Sequence, residues 1–262
     1  MSGRRRALVV GVALGLVGVL APAVPIGAQR PGSYCATVDA PDDAFVDSLY
    51  DLGMERCPSQ TELDYWVGRL AAGQTRLTVV EALLRSDEPL DDVLGTVYGK
   101  SLGREPTADE RMQGFAVLRA RRDDVPLDAA VKASEEYLAN QEYPTDPEAR
   151  DRQWVADRFP EILDREAGEP SVDYYVASFG PGGSTAASRA RVDVTLAHSA
   201  EGRRVTVARS YSRHLRRDPG PAEVAFWAGW LRGVGRDRAL LLASSLVASA
   251  EGYQRTQPPE GF

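Results

Sequence analysis

One spaced pattern recurs four times along the chain and constrains the fold more than any other feature. An aromatic residue is followed by an arginine six positions later, by a proline two further on in three copies, and by a tryptophan or its substitute eight beyond that. Such internal periodicity is typical of tandem structural repeats that stack on one another. The pattern residues are Tyr50, Arg56, Pro58 and Trp66; Tyr98, Arg104, Pro106 and Gly114; Phe159, Arg165, Ala167 and Tyr175; and Tyr211, Arg217, Pro219 and Trp227.

Each copy has the spacing of helices. After Pro58 the apolar residues Leu63, Trp66, Val67 and Leu70 recur at helical intervals and share one face. We expect the proline to lie in the first turn of this helix, where its missing N–H costs no hydrogen bond. A glycine-containing turn and a third helix follow, and a closing Ser-x-Glu predicts a cap for the next helix. The sequence therefore predicts an all-α fold of four tandem three-helix repeats stacked as a helical array.

The first 28 residues have the layout of a secretory signal peptide. Three arginines, at positions 4–6, precede the uncharged segment 7–20, and prolines and small residues follow. This segment is shorter than the about 20 residues that a membrane span needs, which favours a cleaved signal peptide. An uncleaved membrane anchor is the alternative. We expect a secreted or cell-wall-associated protein with no membrane span after cleavage.

The repeats and the segments around them divide the whole chain. The longest spacing between copies contains "NQEYPTDPEARD", which we interpret as a linker between two pairs of repeats. We expect a signal peptide at 1–28, an irregular segment at 29–43, repeats at 44–89, 90–142, 152–202 and 203–255, a linker at 143–151, and a tail at 256–262.

The two cysteines, Cys35 and Cys57, are predicted to form a disulfide. An exported chain meets an oxidising environment, in which an even cysteine count favours pairing. Such a bond would contribute on the order of 3 kcal/mol by closing a loop onto the first repeat. Two free thiols are the alternative, and a metal site is less favoured because no histidine lies nearby.

The charge and the histidine count exclude several function classes. A formal net charge of −7 disfavours nucleic acid as a partner. The only histidines, His198 and His214, exclude a multi-histidine metal site, and we interpret both as solvated helix residues. Adjacent acidic pairs are interpreted as residues at helix starts, where the helix dipole favours them. We therefore predict no catalytic residue, no metal and no cofactor. The acidic pairs are Asp42/Asp43, Asp91/Asp92 and Glu135/Glu136.

The repeated arginines and the tryptophans are the remaining candidates for binding. The arginines could bind carboxylates or sugar acids, but a role within each helical corner explains their recurrence. Trp66 and Trp227 lie on the apolar helical stripe and are expected to pack in the core. Trp154 and Trp230 fall outside that stripe, which makes them the better candidates for stacking on sugars at the surface.

The chain resembles the repeats of a bacterial family called domain of unknown function 4214. The resemblance rests on the spaced aromatic–arginine–proline pattern, on the aromatic–tryptophan pairs in "LDYWVGRL" and "VAFWAGWL", and on the stretch "SLGREPTADE". The resemblance extends over about residues 44–255 and is weakest in the third copy, where Ala167 replaces the proline. It implies a helical fold common in secreted and surface-layer bacterial proteins, and it implies no established activity.

From these observations we expect a non-catalytic interaction protein outside the cell, whose partner is an extracellular protein or a glycan. The first alternative is an extracellular or cell-wall glycan-binding module that uses exposed aromatic residues. The second alternative is an atypical secreted hydrolase. A strongly shifted carboxylate pKa in a cleft would be the mark of that hydrolase.

Overall fold

A computed structural model describes residues 40–121, 124–232 and 238–257, which form helices joined by turns and short loops, with no strand among them. The helices are α1 (Pro41–Met54), α2 (Gln60–Ala71), α3 (Arg76–Leu84), α4 (Asp87–Leu102), α5 (Ala108–Arg121), α6 (Val125–Lys132), α7 (Glu135–Asn140), α8 (Pro147–Leu163), α9 (Glu169–Ala177), α10 (Ala186–Ala197), α11 (Ala200–Leu215), α12 (Pro221–Arg232), α13 (Arg238–Ala248) and α14 (Ala250–Thr256). The prediction of an all-α fold is confirmed. Within these described ranges, every helix is too short or too polar to cross a membrane.

Helices α1–α7 and α8–α14 form two halves with corresponding contacts. In each half the first helix packs on the second and the fourth, and the fourth packs on the fifth, sixth and seventh. The halves are joined by two matching contacts, in which α3 packs on α13 and α6 packs on α10. The third helix of each half thus contacts the sixth helix of the other.

The chain consequently folds back on itself, so that its last helix lies beside its first. The Tyr253 hydroxyl of α14 donates a hydrogen bond to Asp42 Oδ1 of α1 at 2.9 Å. The Tyr253 ring also lies 5.4 Å from the Phe45 ring, measured between centroids. The repeat pattern left the curvature of the array open, and the structure shows that the array closes.

The aromatic residues that begin the sequence pattern lie in the core. Tyr50, Tyr98, Phe159 and Tyr211 are between 2% and 8% exposed and belong to four different apolar clusters. Fully burying a large apolar side chain contributes about 1.5–3 kcal/mol, so these clusters are what hold the helices together.

The Ser-x-Glu sequences begin helices, as predicted. Ser134, Ser199 and Ser249 each accept a hydrogen bond from the backbone N–H three residues later, at 2.9–3.0 Å. These serines are the N-caps of α7, α11 and α14, and Ser86 occupies the same position before α4. The Ser86 hydroxyl instead donates to the Leu83 carbonyl at 2.6 Å.

The prediction that the corner proline lies in the first helical turn is wrong. Pro58 precedes Ser59, which is the N-cap of α2. Pro106 likewise precedes Thr107, whose Oγ1 accepts a hydrogen bond from the Glu110 N–H at 3.3 Å. The helix therefore begins with a capping residue, and the proline restrains the chain just before it.

Several predicted boundaries also differ from the structure. Helix α8 begins at Pro147, and Asp151 is 2% exposed, so the second half of the predicted linker 143–151 is helical and packed. Helix α1 begins at Pro41, inside the segment 29–43 that we expected to be irregular. In addition to three helices per predicted unit, the short helices α7 and α14 follow α6 and α13.

Gly114 occupies the pattern position of Trp66 and Trp227, and it packs closely on a neighbouring helix. A Cβ built at this position would overlap the side chain of Leu94 on α4. Helix α5 therefore approaches Leu94 of α4 more closely than a larger residue at position 114 would allow.

Candidate functional site: arginine corners and exposed aromatic rings

The four repeated arginines follow turns of the same backbone geometry, which we call the arginine corners. The residue before each arginine has a left-handed backbone, and three of these four residues are not glycine, which is uncommon. Such a residue ends the first helix abruptly and turns the arginine toward the next one. The φ values are 49° at Glu55, 68° at Gly103, 56° at Asp164 and 48° at Arg216.

Each corner arginine forms a bidentate ion pair with the glutamate of a Ser-x-Glu sequence more than 30 residues later. The guanidinium Nε donates at 2.5–2.7 Å and Nη2 donates at 2.7–2.9 Å. The Nη1 atom also donates to the carbonyl of the following residue at 3.0–3.1 Å. The pairs are Arg56–Glu88, Arg104–Glu136, Arg165–Glu201 and Arg217–Glu251.

A second carboxylate completes three of the corners, and we did not find it from the sequence. Glu62, Glu110 and Glu223 each accept two bonds from the corner arginine and one from the backbone N–H of their own N-cap residue. The arginine bonds hold the pKa of each of these carboxyls at about 2. The capping-box spacing in "SQTE" and "TADE" was the signal that could have identified them.

The third corner lacks this second carboxylate. Ser171 occupies the position of the missing glutamate, and Arg165 pairs with Glu201 alone among the described side chains. In all four corners the guanidinium donors bond to groups of the same chain. The corners therefore join consecutive helices, and they do not present a ready-made site for a carboxylate ligand.

The tryptophans on the helical stripe are half-buried and hydrogen-bonded. Trp66 Nε1 donates to the Tyr50 hydroxyl at 3.0 Å, and Trp227 Nε1 donates to the Tyr211 hydroxyl at 2.8 Å. Tyr175 takes the same place in the third copy, where its ring lies 6.0 Å from Phe159. These rings support the core as expected.

The surface candidates chosen from the sequence are not the exposed aromatic residues. Trp154 is fully buried and donates through Nε1 to the Lys132 carbonyl at 3.2 Å, so the prediction for it is wrong. Trp230 is partly buried and packs edge-on against Trp227, with centroids 5.5 Å apart.

Three other aromatic residues project into solvent, and we call them the exposed rings: Tyr65, Tyr174 and Phe226. They are 58%, 70% and 62% exposed. Each directly precedes a stripe residue and contacts its ring edge-on, with centroids 4.9–5.1 Å apart and planes at 77–82°. All three stand seven residues after the corner proline or its substitute. This constant spacing was the signal that could have distinguished them from core residues.

An acidic cavity of about 900 Å³ lies beside α4, α1 and α5. Arg111 pairs there with Asp91 and Glu105, and the partially apolar lining includes Met54 and Phe115. The carboxyl residues that line it are Asp87, Glu88, Asp91, Asp92 and Glu105.

Two carboxyls of the acidic cavity differ in acidity. Burial, together with the charges of Glu55, Asp91 and Glu88, raises the pKa of Asp92. The hydrogen bonds from Arg56 lower the pKa of Glu88. Asp91 and Asp92 lie in the second turn of α4, so our placement of this pair at a helix start is wrong. Asp42/Asp43 and Glu135/Glu136 do occupy first turns.

A buried charge network joins α6, α8 and α10, and it consists of Asp128, Lys132, Arg158, Glu161 and Asp193. Lys132 Nζ lies 2.9 Å from Asp128 Oδ2 and 3.0 Å from Glu161 Oε2. Arg158 Nη1 lies 3.0 Å from the same Glu161 oxygen. Burial raises the pKa of Asp193 to about 7, against the opposing effect of Arg158 and Lys132. Asp193 Oδ1 has no hydrogen-bond partner among the described residues.

The two histidines differ from each other. His198 is exposed at the end of α10, in agreement with the prediction of a solvated residue. The prediction is wrong for His214, which is largely buried on α11. Burial, with a smaller effect of the Arg213 charge, lowers the pKa of His214 to about 3.

The predicted disulfide stays a prediction, because Cys35 lies outside the described residues. Cys57 is exposed in the first arginine corner. No group of three or more histidine, cysteine or acidic residues in the described ranges is arranged to hold a metal ion.

The fold and these sites define an all-α protein in which internally paired arginine corners link successive helices. Residues 33–93 match the model of a family described as domain of unknown function (DUF4214), and this span contains the first corner, α1, α2 and α3. No curated protein and no solved structure matches the chain.

Proposed function

We propose that this is an exported, non-catalytic interaction protein built from four copies of one three-helix unit. The single observation that carries the proposal is the recurrence of an exposed aromatic ring at one position in three of the four copies. An aromatic ring that stays more than half exposed at the same pattern position three times suits contact with a partner. The partner is an extracellular protein or a glycan.

The corners support the division into four units. On this reading the units are α1–α3, α4–α6, α8–α10 and α11–α13. Helices α7 and α14 are then shortened first helices of a following unit, since each begins with a capping serine. Each also supplies the glutamate that pairs with the arginine of the unit before it.

The location outside the cell rests on residues 1–28, which lie outside the described residues. Production of the full chain in a secreting bacterial host tests it. We expect mature protein in the culture medium or the cell wall, with its N-terminus after Ala23 or Ala28. Recovery of the intact chain from the cytosol alone would contradict export.

Binding and hydrolysis are tested together with purified residues 29–262. The protein is incubated with cell envelopes of a GC-rich Gram-positive bacterium, and the pellet and the supernatant are analysed separately. We expect saturable co-sedimentation and no release of reducing ends or peptides. Release of soluble wall fragments that one substitution abolishes would overturn the non-catalytic reading.

The acidic cavity favours a second candidate function, that of a hydrolase. A hydrolase of this kind needs one protonated and one ionised carboxyl, and Asp92 and Glu88 have pKa values displaced in opposite directions. Asp92→Asn is the matching test, with Asp109→Asn on the exposed start of α5 as the control. Wall-fragment release by the wild type and the control but not by Asp92→Asn would favour the hydrolase.

A further inference from the structure

We infer that the exposed rings, Tyr65, Tyr174 and Phe226, are three stacking sites for the sugar rings of a polysaccharide. This inference rests on the proposed function, and it names both the site and the class of partner. It differs from the expectation drawn from the tryptophans, because Trp154 is fully buried and Trp230 is half-buried.

A neighbouring aromatic side chain restrains each exposed ring, which suits stacking on a sugar. Tyr65 contacts Trp66 edge-on at 4.9 Å, so the neighbouring indole restrains the phenol ring while the ring remains 58% exposed. Tyr174 is restrained in the same way by Tyr175 at 5.1 Å. A ring that is already restrained loses little conformational entropy when a ligand binds on it.

A small residue follows each exposed ring on the helix surface. Three residues after each exposed ring stands a small, exposed residue: Gly68, Ala177 or Gly229. A Cβ built at Gly68 or at Gly229 would have no atom within 4 Å. These positions therefore leave room for a flat ligand three residues after the ring, while Arg69, four residues after Tyr65, lies over that ring.

Polar residues flank two of the rings, and this favours a sugar over a protein partner. Exposed Asp64 and Asp173 directly precede Tyr65 and Tyr174, and the Arg69 guanidinium lies 5.6 Å from the Tyr65 ring centroid. Stable protein interfaces bury a contiguous patch of roughly 800 Å² per partner. A pyranose instead needs one aromatic face for its C–H groups and nearby polar groups for its hydroxyls.

The polar neighbours of the three exposed rings predict how much each ring contributes to binding. Tyr65 and Tyr174 each have an acidic residue beside them, whereas Ala225 precedes Phe226. In the second copy Gln113 takes the place of the ring, next to the exposed Met112. We therefore expect Tyr65 and Tyr174 to contribute more to binding than Phe226, and the second copy to contribute nothing.

Repetition of a weak site suits a polymer. One stacked sugar binds weakly, but sites on a single rigid chain raise the local concentration of the next sugar along the same polymer. We expect short oligosaccharides to bind at millimolar concentrations and the polymer to bind about 100-fold more tightly.

The test uses residues 29–262 and protein-free wall sacculi, with chitin and cellulose as further probes. We expect Tyr65→Ala or Tyr174→Ala to weaken binding about 5- to 10-fold, Phe226→Ala to weaken it less, and the triple variant to abolish it. Tyr65→Phe should keep binding because it keeps the ring face. Met112→Ala removes an equally exposed side chain that is not aromatic, and it should bind as the wild type does. Circular dichroism confirms that each variant is folded.

The outcomes separate this inference from the proposed function. Binding to intact envelopes but to none of the stripped polysaccharides would overturn the sugar inference and leave a protein partner for the same rings. Equal binding of the triple variant and the wild type to sacculi would overturn the three stacking sites alone. Absence of binding to both materials would contradict both proposals.

Discussion

Two of the contacts that join the halves of the molecule use corresponding helices but differ in their chemistry. In the α3–α13 contact, the residues six before the capping serines are Val80 and Ala243, and both are buried in one apolar cluster. In the α6–α10 contact, the residues at the same distance are Asp128 and Asp193. The same helical geometry thus accepts either aliphatic side chains or a charge network.

A second position shows the same contrast. Two residues before the serines stand Leu84 and Val247 in the apolar contact, and Lys132 and Ala197 in the charged one. Buried charges require partners, and Lys132 finds them in Asp128 and Glu161. An apolar pair would stabilise the contact as well or better, so charge is not required to close the molecule. Closure of the molecule therefore depends on the spacing of the helices, and in the charged contact its stability also depends on the ion pairs of Lys132.

The largest expected effect is that of Lys132→Met, which breaks the charged contact. Loss of the cation leaves Asp128 and Glu161 with less compensation inside the protein, and we expect the free energy of unfolding to fall by about 3–5 kcal/mol. Urea denaturation measures this change. Leu84→Met at the corresponding apolar position is the control, and it should cost less than about 1.5 kcal/mol. Equal effects would show that the two contacts do not differ energetically.

Leu84→Ala tests the apolar contact itself. This residue is 1% exposed, and its truncation leaves a cavity beside α13, so we expect a loss of about 3 kcal/mol. The loss should be the same at pH 5 and pH 8, because only aliphatic groups change. A loss below about 1 kcal/mol would mean that the α3–α13 contact closes over the missing atoms.

A pair of variants sharpens the comparison through pH. Burial raises the pKa of Asp193 to about 7, so folding takes up a proton there, and this group makes the protein less stable as the pH rises toward 7. Burial lowers the pKa of His214 to about 3, so folding releases a proton, and this group makes the protein less stable as the pH falls below 6.5. Between pH 5 and 6.5 the two effects oppose each other.

Removing Asp193 and removing His214 should therefore change the pH dependence of the unfolding free energy in opposite directions. From pH 5 to 6.5 we expect the unfolding free energy of Asp193→Asn to rise by about 1.5 kcal/mol relative to the wild type, and that of His214→Gln to fall by about as much. Chemical denaturation at four pH values checks this. Parallel profiles for the two variants would mean that neither group titrates as described.

The smallest effects should come from the corners, which lie outside both contacts. Arg56 and its carboxylates are about a third or more exposed, so solvent screening limits the loss in Arg56→Ala to about 1 kcal/mol. Arg165→Ala removes a pair with one carboxylate, and we expect only a few tenths of a kcal/mol. Added salt should shrink both losses, which thermal unfolding at two salt concentrations would reveal. A loss at Arg165 larger than that at Arg56 would contradict the role of the second carboxylate.

Much of the candidate site could be predicted from the sequence, but the packing of helices that are distant in the sequence could not. The spacing of Trp66 placed it correctly on the apolar stripe, since helical periodicity is a local property. The misplacement of Trp154 has another cause, because its burial depends on α8 packing beside the end of α6. His214 was misread for a similar reason, since its own short stretch of basic residues suggested solvent.

Residues a few positions apart were enough to predict the helices and the serines that cap them, because both are local features. The sequence did not identify the pairing of Arg56 with Glu88, because the glutamate lies on a helix 32 residues further along the chain. Local patterns could not predict that the chain closes through α3–α13 and α6–α10, or that one contact is apolar and the other includes a charge network. Those outcomes depend on how far each helix lies from partners more than 50 residues away, and local periodicity carries no information about that distance.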